Sequence, residues 1–136
     1  MVEAIQGADL ILVAPSNPVV SIGPILQAAG IRQALVEAAA PVVGFAGILG
    51  GSPVLGMAHR LLPAIGVAVE AAAVGRHYGS RASGGVLDVW AMDTADAGST
   101  DQVREAGLRP VTTDLIMTDP EATAAFISYA VKSGTA

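Results

Sequence analysis

The sequence predicts an α/β fold, doubly wound around a mostly parallel sheet. Two observations carry that prediction. Short apolar, β-branched runs alternate along the chain with helix-like segments, an order that right-handed crossovers convert into parallel neighbours. Hydrophobic residues make up 52% of the chain and charged ones only 14%. Most elements must then be covered on more than one side, as a central sheet between helices is.

Taken in order, residues 2–7 read as the closing turn or two of a helix, with Gly7 as its stop, leading directly into an apolar strand at 10–14. A domain rarely begins at the end of a helix, so this pattern predicts a partial fold that starts inside a longer one. Further strands are expected at 42–46, 86–92 and 110–113. Helical segments are expected at 24–27 and 31–39, on either side of Gly30, and at 54–65, 71–78, 100–106 and 121–132. Periodicity does not decide whether "VAVEA" at 67–71 is a short strand or the lead into the Ala-rich helix. Asp119-Pro120-Glu121 combines an N-cap, a proline at the first helical position and a first-turn acid, the firmest helix start in the chain.

Several classes of function are excluded or disfavoured by composition. The net charge is −5 and the pI about 4.7, and no Lys/Arg run offers the footprint that nucleic acid or anionic lipid requires. With no cysteine, disulfides, thiolate zinc sites and a cysteine nucleophile are ruled out, and the cytoplasm is the default location. The uncharged run at 38–58 is long enough for a membrane span. It contains Pro41, Gly44, Gly47, Gly50, Gly51, Ser52 and Pro53, however, and so reads as strand, turn and helix start. "MVEAIQGAD" has neither the basic nor the apolar region of a signal peptide.

In open α/β sheets, ligands sit beyond the carboxyl ends of the strands. "PSNPVVSIGP" lies at such a place, and Pro15, Pro18 and Pro24 stiffen it. Ser16, Asn17 and Ser21 offer neutral donors, and the amides opening the next helix would suit a phosphate without a lysine. An ordinary Asx or Ser turn with a local cap explains the same residues and is the commoner case. A second turn, "AGILGGSPVLG", places Gly50 and Gly51 after the second strand, with Ser52-Pro53 expected to open a helix. Neither a dinucleotide G-x-G-x-x-G nor a P-loop is present.

Asp88, Asp93, Asp96, Asp114 and Asp119 are mostly expected as caps and turns. Asp93 and Asp114 end strands and are the two acids placed nearest a ligand. His59 and His77 lie on different helices without metal-ligand spacing, and His59 beside Arg60 reads as a solvated face. Trp90 and Tyr78 are candidates for stacking on an aromatic ligand or, more simply, for the core.

The blocks "APSNPVVSIGPIL", "GIRQAL", "PVVGFAGILGG", "AIGVAVEAAAVGRHYG", "LDVWAMDTADA" and "LIMTDPEATAAF" run in that order over nearly the whole chain. Together they resemble the C-terminal half of the 2-phospho-L-lactate transferase family, most closely its actinobacterial branch, which uses a phosphoenolpyruvyl donor. The resemblance implies a Rossmann-like fold and a step in coenzyme F-420 biosynthesis. In that step a GDP-activated three-carbon acid gives its phosphoryl-linked unit to the hydroxyl of the deazaflavin Fo, GMP leaves, and Mg²⁺ is needed. It also implies that Ser16, Asn17, Ser21 and Ile22 line a nucleotide cleft, with Gly50 and Gly51 as its second glycine turn. Family members are longer, and their catalytic acids and metal-associated residues precede the matching region, so neither is expected in this chain.

Three departures from the family pattern bear on the cleft. Leu55 stands where relatives usually carry a basic residue, Ala46-Gly47 replace a frequent Ser-Pro, and His59 occupies a commonly acidic position. The alternative is a regulatory protein of the related gluconeogenesis-factor-like family, which binds nucleotide-sugars without transfer; a remnant that folds or dimerises without a ligand is the third reading. "PSNPVVSIGPIL" agrees with both families, whereas "VWAMDTADA" and "LIMTDPEATAA" favour the transferase. A sheet cut mid-fold would leave an open edge and apolar helix faces, which predicts assembly, for example as a homodimer.

Overall fold

The computed structural model describes residues 1–136. Helix α1 (Val2–Gln6) leads into β1 (Ile11–Val13), and a π-helical turn at Pro18–Ile22 runs on into α2 (Gly23–Gln27) and α3 (Ile31–Glu37). Strand β2 (Val42–Phe45) is followed by a small hairpin of β3 (Ile48–Leu49) and β4 (Ser52–Pro53). Next come α4 (Ala58–Leu61), a 3-10 turn at Pro63–Ile65 and α5 (Ala71–Tyr78). Strand β5 (Val89–Asp93), α6 (Thr100–Glu105), β6 (Arg109–Thr113) and α7 (Pro120–Gly134) complete the chain.

The main sheet has the order β1-β2-β5-β6, and all three of its pairings are parallel. Its central strands have the sequences VVGF and VWAMD and are buried at every position, the continuous apolar pattern of parallel strands covered on both faces. The edge strands β1 and β6 are only partly covered. The α/β fold expected from the alternation of elements is therefore present.

Trp90 organises the centre of this sheet. An added Cβ would lie 2.7 Å from its Cδ1 at Gly75 on α5, and 2.9 Å from its Cε3 at Gly44 on β2. The indole fits because both neighbours lack a side chain. Its Nε1 donates to the Ala71 carbonyl at 2.9 Å, satisfying the one polar atom that the ring buries.

At the opposite, amino end of the sheet, Arg81 and Asp88 form a two-pronged ion pair, Nε to Oδ1 at 2.9 Å and Nη2 to Oδ2 at 2.5 Å. Asp88 Oδ2 also accepts the Val42 amide at 2.8 Å, and Arg81 Nη1 donates to the carbonyls of Ala38 and Leu35. The pair thus clasps the end of α3 to the starts of β2 and β5. Asp88 is neither a cap nor a turn residue.

Four expectations need correction. Only residues 15–17 of "PSNPVVSIGP" are loop, because the chain turns helical at Pro18 and carries Ser21 and Ile22 into that helical segment. Gly50 and Gly51 do not form a strand-to-helix turn. With φ of +57° and +82° they make the two-residue turn of the β3–β4 hairpin, a conformation glycine adopts without strain. The helix expected at 54–65 shrinks to α4 and a 3-10 turn, since Ser52–Pro53 are used as a strand and Pro63 has no amide to extend the ladder. The strand expected from residue 86 begins at Val89, because the amides of Val86 and Leu87 are taken by the Gly79 carbonyl. Residues 67–70 are an extended lead into α5 rather than a strand. The uncharged run at 38–58 contains β2 and the hairpin, and no single helix in the chain is long and apolar enough to cross a membrane.

Candidate functional site

A cavity of about 240 Å³ opens at the carboxyl ends of the strands, the side of an open α/β sheet where ligands bind. Pro15, Ser16, Asn17 and Pro18 from the loop after β1 form one wall. Phe45, Ala46 and Gly47, continuing from β2, form a second, and Leu115, Ile116 and Met117, beyond β6, close a third. The hairpin and the start of α4 lean over it with Ile48, Leu49, Pro53, Val54, Leu55 and Ala58, while Val74, Tyr78 and Trp90 lie beneath. The hairpin is held down at its tip, where the Gly50 amide donates to Asp96 Oδ2 at 3.0 Å.

The residues picked out from the sequence divide sharply. Ser16 and Asn17 line the cavity, whereas Ser21, Ile22, Gly50, Gly51, Asp93 and Asp114 do not. Ile22 is buried in the core, and Gly50 and Gly51 sit at the hairpin tip. Asn17 is the N-cap of the helical segment: its Oδ1 accepts the amides of Val19 at 2.9 Å and Val20 at 3.2 Å, and its carbonyl accepts those of Ser21 and Ile22. The amides expected to be free for a phosphate are therefore already paired. Among the donors that remain at the cavity wall are the Ser16 hydroxyl, the Asn17 side-chain amide nitrogen, and the backbone amides of Asn17 and Gly47; none of them bonds to another group of the protein.

The two acids placed nearest the ligand edge serve the backbone instead. Asp93 is buried; its Oδ1 accepts the Ala95 amide at 2.9 Å and its Oδ2 the Leu115 amide at 3.0 Å. Asp114 Oδ1 accepts the Ile116 amide at 3.1 Å. Both thereby shape the 114–117 segment that forms the third wall. No group of three or more His, Cys, Asp or Glu side chains comes together anywhere in the chain, so these residues do not fit a Mg²⁺ site. His59 and His77 are exposed, and neither lines the cavity.

Sequence reasoning missed most of the apolar wall. Met117, Ile116 and Leu115 carry no polar signal, and Phe45 belongs to a strand that reads simply as core. Tyr78 and Trp90, candidates for stacking on a ligand or for the core, are core residues that also line the cavity. Trp90 is 1% exposed yet floors the cavity, and its ring meets that of Tyr78 edge-on at 5.7 Å. Tyr78 is 4% exposed, and burial pushes its hydroxyl well above the ordinary tyrosine range, which keeps it protonated.

A family model described as 2-phospho-L-lactate transferase CofD matches residues 1–128. The chain belongs to that family. It is 52% identical to a phosphoenolpyruvate transferase of Streptomyces griseus, an alignment covering 97% of this chain and 40% of that protein. Identity is also 52% to the phosphoenolpyruvate transferase of Streptomyces coelicolor, over 91% of this chain and 38% of the relative. To that of Mycolicibacterium smegmatis it is 49%, over 93% and 37%. The chain thus spans about two fifths of the length of the curated relatives it matches. Within the CofD family, then, the cavity is built from a segment that relatives carry as part of a longer chain.

Proposed function

We propose that this chain forms the nucleotide-facing part of a transferase of coenzyme F-420 biosynthesis. The reaction moves a phosphoenolpyruvyl or 2-phospholactyl unit from a GDP-activated donor to the deazaflavin Fo. The observation that carries this reading is identity of about half over more than nine tenths of the chain with proteins named phosphoenolpyruvate transferase. In support, the cavity lies at the ligand edge of the sheet, with Ser16 and Asn17 in its wall.

In the transfer, the Fo hydroxyl oxygen attacks the phosphorus that bears the three-carbon acid. The bond from that phosphorus to the oxygen bridging the diphosphate breaks, GMP departs with the electron pair, and the hydroxyl proton passes to a base. The contribution of this chain is positioning: donors fixed at Ser16, Asn17 and Gly47 hold the diphosphate end while the apolar wall excludes water. Asp93 and Asp114, tied to backbone amides, are not assigned as the base. Mg²⁺ would be held by residues other than these, since no cluster of three or more His, Cys, Asp or Glu side chains forms in this chain.

The test is a chimera in which this chain replaces the matching segment of the Streptomyces griseus relative. Product formation from the GDP-linked donor and Fo is expected from the chimera and not from the 136 residues alone. Replacing Ser16 and Asn17 together is expected to raise the KM for the donor about tenfold or more. An inactive but folded chimera, or one that binds a UDP-sugar in preference to GDP, would overturn the assignment in favour of a nucleotide-sugar-binding role.

A further inference from the structure

Two walls of the cavity stand outside the main sheet. One is the β3–β4 hairpin with the strap at 54–57 that leads from it to α4, and the other is the segment Leu115, Ile116 and Met117 beyond β6. Backbone bonds hold the strap only weakly. The Val54 amide reaches the Gly47 carbonyl at 3.4 Å, beyond the ordinary N–H to oxygen range, and the amides of Leu55, Gly56 and Met57 donate to no backbone carbonyl. Val54, Leu55 and Met57 are exposed, and nothing lies within 4 Å of where a Cβ on Gly56 would stand. Sparse packing and unpaired backbone mark a segment that opens locally. The hairpin is therefore placed by its two fixed points, Ile48 in the core and Gly50 at the tip.

Both of these walls are tied to one short piece of chain, the 3-10 turn at Thr94–Ser99 that follows β5. Asp93, the N-cap of that turn, accepts the Ala95 amide on Oδ1 and the Leu115 amide on Oδ2. Within the turn, Asp96 accepts the Gly50 amide on its Oδ2. Ala95 also abuts the hairpin tip, with its Cβ 3.8 Å from the point where a Cβ on Gly50 would stand. A continuous path thus runs from the Leu115 amide through Asp93, the Ala95 amide and Asp96 to Gly50. Asp93 is buried with each oxygen engaged by a different amide, so it cannot move toward one partner without releasing the other.

We infer that this turn is a brace that sets the gap between the hairpin and the 115–117 wall, with Asp96 as the positioning residue for the hairpin and Asp93 as the residue that seats Asp96. Neither side chain lines the cavity, so both act through the walls they hold. The two links differ in direction. Loss of Asp96 frees the hairpin alone, because Asp93 keeps both of its amides. Loss of Asp93 frees the 115–117 wall directly and the hairpin indirectly, because the turn that carries Asp96 loses its cap. The brace stands on these contacts alone, whereas its effect on substrate rests on the transferase reading.

Amide hydrogen exchange in the 136-residue chain tests the brace, with the buried strand β5 as the reference for global unfolding. Asp96→Ala is expected to speed exchange at Gly50 about threefold to tenfold relative to β5 and to leave Leu115 unchanged. Asp96→Asn, which keeps an acceptor oxygen, should restore most of the protection. Asp93→Ala should speed exchange at Leu115 and at Gly50, although Asp93 touches no residue of the hairpin. Asp93→Ser should speed Leu115 alone, since its hydroxyl still caps Ala95 but leaves no second oxygen for Leu115. Should Asp93→Ala not fold, Asp93→Gly carries the same arm, glycine being tolerated at an N-cap. Gly50 exchange that ignores Asp96→Ala or Asp93→Ala, or acceleration shared equally by β5, overturns the brace. In the Streptomyces griseus chimera, Asp96→Ala should raise the KM for the GDP-linked donor about threefold with a smaller change in kcat, and Asp96→Asn should reverse it. An active chimera whose donor KM ignores Asp96→Ala sinks the positioning role alone, whereas an inactive chimera with the exchange pattern intact sinks the transferase reading alone.

Discussion

At the scale of single residues, the sign of a substitution depends on which of two effects is larger, as Gly75 shows. In the middle of a helix, glycine is normally less stable than alanine by roughly 0.5–1 kcal/mol, so Gly75→Ala in α5 would ordinarily stabilise. Here the new methyl would stand 2.7 Å from Trp90 Cδ1, and the indole is pinned by its bond to Ala71. Overpacking of that kind costs about 1–3 kcal/mol, and the net expectation is a loss, read as a lower midpoint in urea unfolding. Tyr78 gives a second test. Burial raises the pKa of its hydroxyl in the folded state, so below the ordinary value near 10 its proton is bound in both states and pH has no effect. Above that value the unfolded chain releases the proton and the folded one does not, and stability falls by up to about 1.4 kcal/mol per pH unit. Tyr78→Phe should remove that alkaline component, measurable as a shallower decline of unfolding midpoint between pH 10 and 11. Leu55, 88% exposed at the cavity mouth, marks where the family resemblance puts a cation. Under the proposed function, Leu55→Arg should tighten GDP binding by about threefold to tenfold, discounted for exposure and lost again in high salt.

Whole elements were legible to the degree that their sequence pattern had one interpretation. The buried strands β2 and β5 and helix α7 were read from continuous apolar runs and from the Asp119 cap, whose Oδ1 does accept the Ala122 amide at 2.7 Å. The hairpin β3–β4 was missed because "ILGGSP" satisfies two rules at once: a Gly-Gly turn fits either a strand-to-helix corner or a two-residue hairpin, and Ser-Pro is a familiar helix start. The pairing of Ile48 with Pro53 realises the hairpin, and the tether from Gly50 to Asp96, 46 residues away, holds it in place; that bond is invisible to a local reading. The candidate site was half legible for the same reason. Ser16 and Asn17 were found because loops after parallel strands are informative by position, whereas the Leu115–Met117 wall has no signature beyond hydrophobicity. At this scale the clasp is the testable part. Arg81 and Asp88 join α3, β2 and β5, with side-chain exposures of 16% and 33%. Asp88→Ala strands a partly buried guanidinium and the Val42 amide, and is expected to cost about 2 kcal/mol. Combining it with Arg81→Met should recover part of that loss, and a double-mutant cycle in urea measures the coupling.

Across the whole molecule, the open question is what covers β1. The sheet order places β1 at an edge with one row of backbone groups unpaired, and Leu10 and Leu12 are 37% and 43% exposed along it. Natural edge strands are usually guarded by charge, proline or a covering element. Of these β1 has none within its own span, since its sequence is ILV. A net charge of −5 spread over 136 residues opposes close approach of two copies only weakly at physiological salt, where repulsion is screened within about 8 Å. Edge pairing should therefore win, and the isolated chain is expected to self-associate as its concentration rises, seen as a concentration-dependent sedimentation coefficient. Leu12→Lys places a charge on the exposed face of the edge without touching the core, and should return the chain to monomer while leaving its thermal midpoint nearly unchanged. If the variant sediments as the parent does, assembly runs through another surface. The half-exposed pair Ile116 and Met117 at the cavity mouth would be next to test, and occupancy of the cavity should then compete with assembly.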